Sequence, residues 1–288
     1  MRSVRIAHIL AIPLALLLLL TVVIPGGIFL VYSFFTFEFG TRQPGMTTGH
    51  YTAILGDQLY RKAAWNTLII ACGTTVASVV LGFALAYYLA FRARATRNLI
   101  LGLIVLSMLA SFLVRVYAWR TILGENGVLN TFLEQVGLIS EPLNFFLFSR
   151  LAVIIAQVNV ALPFTTLVLY LSMLGISSDL RESALDLGAS RAETLVRIVL
   201  PLTGPALLGA SALTFFVSAG DFITPVFLGG TNSVTFGTTI SDQLRVNLDY
   251  GLGSALSFTL VLGFALFYLL LRLAMKRLRL LPASEAGV

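Results

Sequence analysis

Six long apolar stretches organise the chain, at about residues 9–35, 67–91, 99–119, 151–174, 206–228 and 252–271. Runs of roughly 20 apolar residues, rising about 1.5 Å per residue as helices, are long enough to cross about 30 Å of hydrocarbon. Between the fourth and fifth stretches the pattern changes abruptly, and Asp179, Arg181, Glu182, Asp186, Arg191, Glu193 and Arg197 crowd into one connection. The pattern predicts an all-α membrane protein, a single domain over residues 1–288 with six transmembrane helices and one charged loop, residues 175–205.

That loop parses as two short helices. Asp179 stands as a helix N-cap with Glu182 three residues on, and Gly188 suits the left-handed conformation that ends a helix. Ser190 with Glu193 forms a second capping pattern. Ala192, Leu195, Val196, Val199 and Leu200 then fall on one apolar stripe. Pro201 and Pro205 bend the chain into the fifth stretch. A helix lying among lipid headgroups accounts for the second half. The first half, small and acidic around Glu182 and Asp186, makes better sense as a surface offered to a basic protein partner.

The start, "MRSVRIAHILAIPLALLLLLTVV", sets Arg2 and Arg5 ahead of an apolar core as a secretory leader does. No small-x-small cleavage site follows before the apolar run resumes, so the segment reads as an uncleaved first span.

Composition supports the membrane reading and adds an orientation. The chain is 58% hydrophobic and 11% charged, with mean hydropathy +0.93, where soluble domains carry about 25% charged residues. With the N-terminus inside, the inner segments hold 12 of the 19 Lys and Arg residues, which places both termini in the cytoplasm. The net charge of +6 follows from this asymmetry and does not imply nucleic-acid binding. Residues 40–66 and 120–150 then lie outside, and "NGVLNTFLEQVGL" has the spacing of a short surface helix. Cys72 reads as a packing residue, and neither His8 nor His50 has ligand partners at metal spacing, so no metal is assigned.

The spacing Glu182, Ala184, Gly188, Ile198, Leu200, Pro201 resembles the cytoplasmic signature of binding-protein-dependent ABC importer permeases, with Ser183 where a second alanine is usual. The segments "SFLVRVYAW", "NGVLN", "LGLISEPLNF", "LDLGASR", "VLPLTGPALL" and "GDFITPVFLGG" look like the first of the two permeases of spermidine/putrescine importers. The resemblance implies a type I importer permease that forms half of a translocation pathway. Its partners would be a second, homologous permease, two ATP-binding subunits, a periplasmic or surface solute-binding protein and the lipid bilayer. ATP and magnesium would sit on the ATPase, with no cofactor on this chain, which has no G-x-x-x-x-G-K-[ST] loop. By the same similarity, Asp179, Glu182, Ser183, Ala184, Asp186, Gly188, Ser190 and Arg191 would form the coupling helix and its turn against the ATPase.

For the solute, Asp221 is the acid within a span, with Phe215, Phe216 and Phe222 nearby. Intramembrane acids are costly and mark functional positions. A carboxylate beside aromatic rings suits an alkylammonium, while a bracing acid paired with Arg115 is the plainer alternative. Tyr117 and Trp119 either face the pathway or belong to the interfacial belt. Arg115 and Arg120 brace a gate or dock the binding protein. The cargo expected is a polyamine such as spermidine or putrescine, or failing that another small organic solute. The competing class is an ion-coupled secondary transporter, which wants several intramembrane acids or broken helices around one site.

Overall fold

The computed structural model describes Pro13 and residues 16–93, 95–143 and 147–281. Arg2, Arg5, His8, Arg94, Phe145, Glu285 and the start of the first apolar run lie outside them. Among the described residues the chain forms two compact units, one from the stretches up to Arg61 and Thr239–Leu262, the other from Lys62–Thr238 and from Gly263 onward.

In the first unit, helix α1 (Leu16–Tyr32) is apolar all round and exposed. It stops three residues before the predicted end of the first span, at Ser33, whose hydroxyl donates to the Leu30 carbonyl at 2.7 Å. An antiparallel hairpin follows, β1 (Phe35–Glu38) and β2 (Thr41–Met46), so the all-α expectation is corrected by this one small sheet among the described residues. Phe39 and Gly40 at its tip both take positive φ. Helix α2 (Gly49–Gly56) packs beneath, where the Tyr51 hydroxyl donates to Ser33 Oγ at 2.9 Å.

Further helices carry most of the remaining apolar sequence among the described residues. Helix α3 (Gln58–Phe91) begins nine residues before the predicted second span. The predicted third span is not one helix. It breaks at Ala110 and Ser111, both extended, into α4 (Arg97–Leu109) and α5 (Phe112–Leu123), followed by α6 (Val128–Gln135), and the two limbs meet at 98°. Helix α7 (Arg150–Leu174) matches the fourth span, starts on Ser149 as N-cap and carries Pro163 in its interior.

The charged loop is helical as predicted, with α8 (Ser178–Asp186) and α9 (Arg191–Leu202). At Thr203 the chain bends 68° into α10 (Gly204–Gly220). That helix ends at Asp221, so the predicted fifth span is also interrupted. A π-helical turn, Pro225–Gly229, completes it. Beyond α11 (Phe236–Arg245) runs α12 (Tyr250–Arg277), longer than the predicted sixth span.

Among the described residues three helices are long and apolar enough to cross a membrane, α3, α7 and α12, and five segments are if each bent pair counts as one span. In the second unit two apolar clusters tie them together. One gathers around Leu89, Leu169, Met173, Val199 and Met275, the other around Ile70, Val116, Val153 and Leu228. The backbone is tightly approached at the bend before α10. After α12 the chain reverses through Arg279, at φ 57°, and lays Leu280 on Gly204. A Cβ at Gly204 would collide with the Leu280 carbonyl oxygen, so only glycine fits there.

Candidate functional site

Two places gather the polar residues that the apolar pattern cannot explain. The first is the α8–α9 pair. Helix α8 is started by Ser177, whose Oγ accepts from the Asp179 N–H at 3.2 Å. Asp179 is therefore in the first turn, not the cap itself. Two adjacent serines precede it, and Ser177 has the extended backbone a cap needs. At the other end Gly188 N–H donates to Leu185 O and Ala189 N–H to Ala184 O, with Gly188 at φ 89°, the crossed pair of bonds that closes a helix through a left-handed glycine.

The Ser190 capping box then forms as predicted. Its N–H donates to Glu193 Oε2 at 2.9 Å, and Glu193 N–H to Ser190 Oγ at 3.2 Å. The Ser190 backbone N–H, then its hydroxyl, then the nearby Arg197 hold the Glu193 carboxyl below its usual pKa. The predicted stripe on α9 is rotated. Val199 is buried and Leu195 and Leu200 are half-buried, but Ala192 and Val196 are exposed. A π-helical turn over Leu195–Val199 inserts an extra residue and brings Ile198 round instead.

Helix α8 buries no residue. Asp179, Glu182, Ser183, Asp186, Gly188, Ser190 and Arg191 are exposed and Ala184 is half-buried. Leu180, Leu185 and Leu187 are exposed with them, Leu187 at 88%. The result is a short, rigidly capped projection whose surface mixes acids with apolar side chains. The leucines were missed from sequence, since the reading of this segment followed its acids and capping residues alone.

The second place is a cavity of about 470 Å³ between α7 and α10. Its walls are mainly apolar, among them Phe112, Phe164, Val168, Leu213 and Val217. Asp221 and Phe222 line it at the broken end of α10. Asp221 Oδ1 accepts from the Ile223 and Thr224 N–H groups at 2.8 and 3.2 Å, capping the turn that follows, and Oδ2 accepts from Gln157 Nε2 at 3.0 Å. Gln157, only 5% exposed, is fixed in turn by hydroxyls of Thr74 and Ser218 donating to its Oε1. Asp221 makes no ion pair among the described residues, so its carboxylate faces the cavity with neutral partners alone. Gln157 and Thr74 were missed from sequence, although an amide inside an apolar run was a readable signal.

The other predicted pathway residues lie elsewhere. Phe215 is 2% exposed and stacks on Phe267 at 3.6 Å, and Phe216 stacks on Phe264 at 4.7 Å, so both serve helix packing and neither lines the cavity. Tyr117, half-exposed, meets Phe227 at 4.9 Å, and Trp119 packs on the cluster around Val116. Arg115 does not reach Asp221. Its Nη2 donates to the Met108 and Ala110 carbonyls at 3.4 and 2.9 Å, closing the break between α4 and α5. Arg120 is exposed on the last turn of α5.

Residues 78–280, which hold the α8–α9 pair and every cavity residue named above but Thr74, match the family model described as the binding-protein-dependent transport system inner membrane component. The chain belongs to that family. The permease is 34% identical over 223 residues to the spermidine/putrescine transport system permease protein PotB of Escherichia coli K12, covering 77% of its own length and 80% of that protein. To PotB of Haemophilus influenzae it is 31% identical over 250 residues, covering 86% and 87%. Among solved structures, its fold is similar to that of a bacterial alginate ABC transporter in complex with alginate pentasaccharide-bound periplasmic protein. There the TM-score is 0.76 at 18% identity over 100% of this chain and 98% of the other. The chain is thus an ABC importer permease subunit, a multi-pass inner-membrane protein with a helical permease fold and not an enzyme.

Proposed function

We propose that this permease forms half of the pathway of an ATP-driven importer for aliphatic polyamines such as spermidine and putrescine. It would have six spans, both termini in the cytoplasm, and a second permease as a different chain beside it. A periplasmic binding protein delivers the solute, and two ATPase subunits sit beneath the two permeases, one of them receiving α8 in a groove. The first three spans are α1, α3 and the α4–α5 pair, the fourth is α7, the fifth α10 with its π-helical extension, and the sixth α12.

The observation that carries the cargo reading is the setting of Asp221. A carboxylate held only by an amide and two peptide N–H groups, at one end of a mainly apolar cavity, offers a site for an ammonium and a sleeve for the methylenes behind it. The PotB relatives carry the same cargo class in their names. For energy input, α8 supplies a projection with exposed acids and leucines that a basic-rimmed groove would receive. ATP does work on the pathway only insofar as it favours one placement of that projection over the other.

The test is reconstitution with the cognate partner permease, ATPase and binding protein. ATP-dependent uptake of labelled spermidine or putrescine is expected, and removal of residues 178–189 should release the ATPase in a pull-down and abolish uptake. Uptake without nucleotide, or an ATPase still bound after that removal, would overturn the reading.

A further inference from the structure

Helix α8 touches the rest of its unit sparingly, and one side chain on it turns away from the exposed acids and leucines. The Arg181 guanidinium carbon lies 3.9 Å from the centre of the Phe91 ring. Asp179 and Glu182 are neighbours in sequence, yet Arg181 makes no ion pair among the described residues. The aromatic face is its partner.

Phe91 is the last residue of α3. It packs against the cluster around Leu89 and Met173 and meets Tyr87 edge-on at 5.1 Å. The helix end it occupies is fastened by Arg97, whose Nε donates to Leu89 O at 3.0 Å and Ala93 O at 3.2 Å and whose Nη2 donates to Ala90 O at 3.3 Å. A push on Phe91 therefore meets a closed helix end and not a fraying one. On the same uninterrupted helix, about 25 Å away at about 1.5 Å per residue, Thr74 donates to Gln157, and Gln157 holds Asp221.

We propose that Arg181 on Phe91 is a second transmission contact, through which movement of α8 reaches α3 and, by way of Thr74 and Gln157, the carboxylate in the cavity. It works beside the covalent route through Gly188, α9 and α10. The proposal rests on the reading of α8 as the ATPase-facing helix. A guanidinium is attracted to a ring only when it lies over the face, so the pair favours the placement of α8 described here over one in which the helix has shifted. That difference between two states is what a coupling contact requires. Arg181 is thus a positioning residue that acts on the solute site through a helix.

The experiment uses the reconstituted complex and measures solute imported per ATP hydrolysed, with ATPase pull-down in parallel. Arg181→Ala and Phe91→Leu are each expected to lower that ratio roughly two- to fivefold, the effect of losing one partly exposed cation–π pair. The double variant should be no worse than either single one, as expected of two halves of one contact. Arg181→Lys and Phe91→Tyr, which keep a cation and a ring, should hold the ratio near its original value, and the ATPase should stay bound in every case. Additive losses in the double variant, an unchanged ratio, or release of the ATPase by Arg181→Ala would overturn the proposal. An ATPase that stays bound after removal of residues 178–189 would sink the reading of α8 itself.

Discussion

Asp221 does two jobs with one carboxylate, and they can be separated. Oδ1 caps the turn after the break in α10, and Oδ2 is held by Gln157 at the cavity wall. Asparagine retains a carbonyl oxygen for the cap and removes the charge. Asp221→Asn should leave the complex assembled and lower polyamine uptake at least tenfold, about the 1.4 kcal/mol that a charge-assisted hydrogen bond contributes over a neutral one. Uptake assays on membranes with matched permease content measure it. Unimpaired uptake would leave the residue as a helix cap only. Arg115, by contrast, gives only Nη2 to the Met108 and Ala110 carbonyls, which ties it to the break, while its Nε and Nη1 are buried without a hydrogen-bond partner among the described residues.

The α8–α9 pair owes its geometry to three short-range devices, the Ser177 cap, the Gly188 reversal and the Ser190–Glu193 box. At φ 89° a side chain on residue 188 costs roughly 1–2 kcal/mol. Gly188→Asp should therefore redirect α8, while Glu182→Lys would reverse a charge on its exposed face. Both variants are expected to reach the membrane and lose transport, as immunoblots of the membrane fraction and uptake assays would show. Normal uptake by both would count against the pair as the point of force entry. The Glu193 carboxyl, depressed in the folded chain, lends its support above its unfolded pKa and loses it as pH falls through the lower folded value. The turn should thus tolerate mild acid.

Much at this scale was legible in advance. The second capping box, the reversal at Gly188 and the extent of the fourth span, α7, follow from local chemistry, which a sequence displays directly. The breaks at Ala110 and Asp221 were not, because the residues on either side are apolar and hydropathy averages across them. The π-helical turn that rotates the α9 stripe leaves no mark in periodicity either. Phe215 and Phe216 were misplaced for a related reason: nearness to Asp221 along the chain says nothing about which side of α10 a ring occupies.

For the whole molecule, the proposed topology puts the hairpin tip and the α8–α9 turn on opposite sides of the bilayer. Cysteines introduced one at a time at Phe39 and Leu187, both strongly exposed, in a Cys72→Ser background test this. A membrane-impermeant thiol reagent should label position 39 in intact spheroplasts and position 187 only in inverted vesicles. The reverse labelling pattern would invert the chain, and labelling of both positions from one side would remove a span from the proposed six.

The two interruptions in the spans also constrain how the chain can roll about its own long axis. Phe112, just past the first, and Gly220 to Phe222, at the second, border the same cavity, and peptide groups released from a helix cannot be left against acyl chains. Arg115 takes up the Met108 and Ala110 carbonyls and Asp221 the Ile223 and Thr224 N–H groups, but the Asp221 carboxylate beside them still favours water or another polypeptide on that flank over acyl chains. An isolated copy in lipid would have a costly side there, and the second permease proposed above would relieve that cost by covering it before any solute or nucleotide arrives.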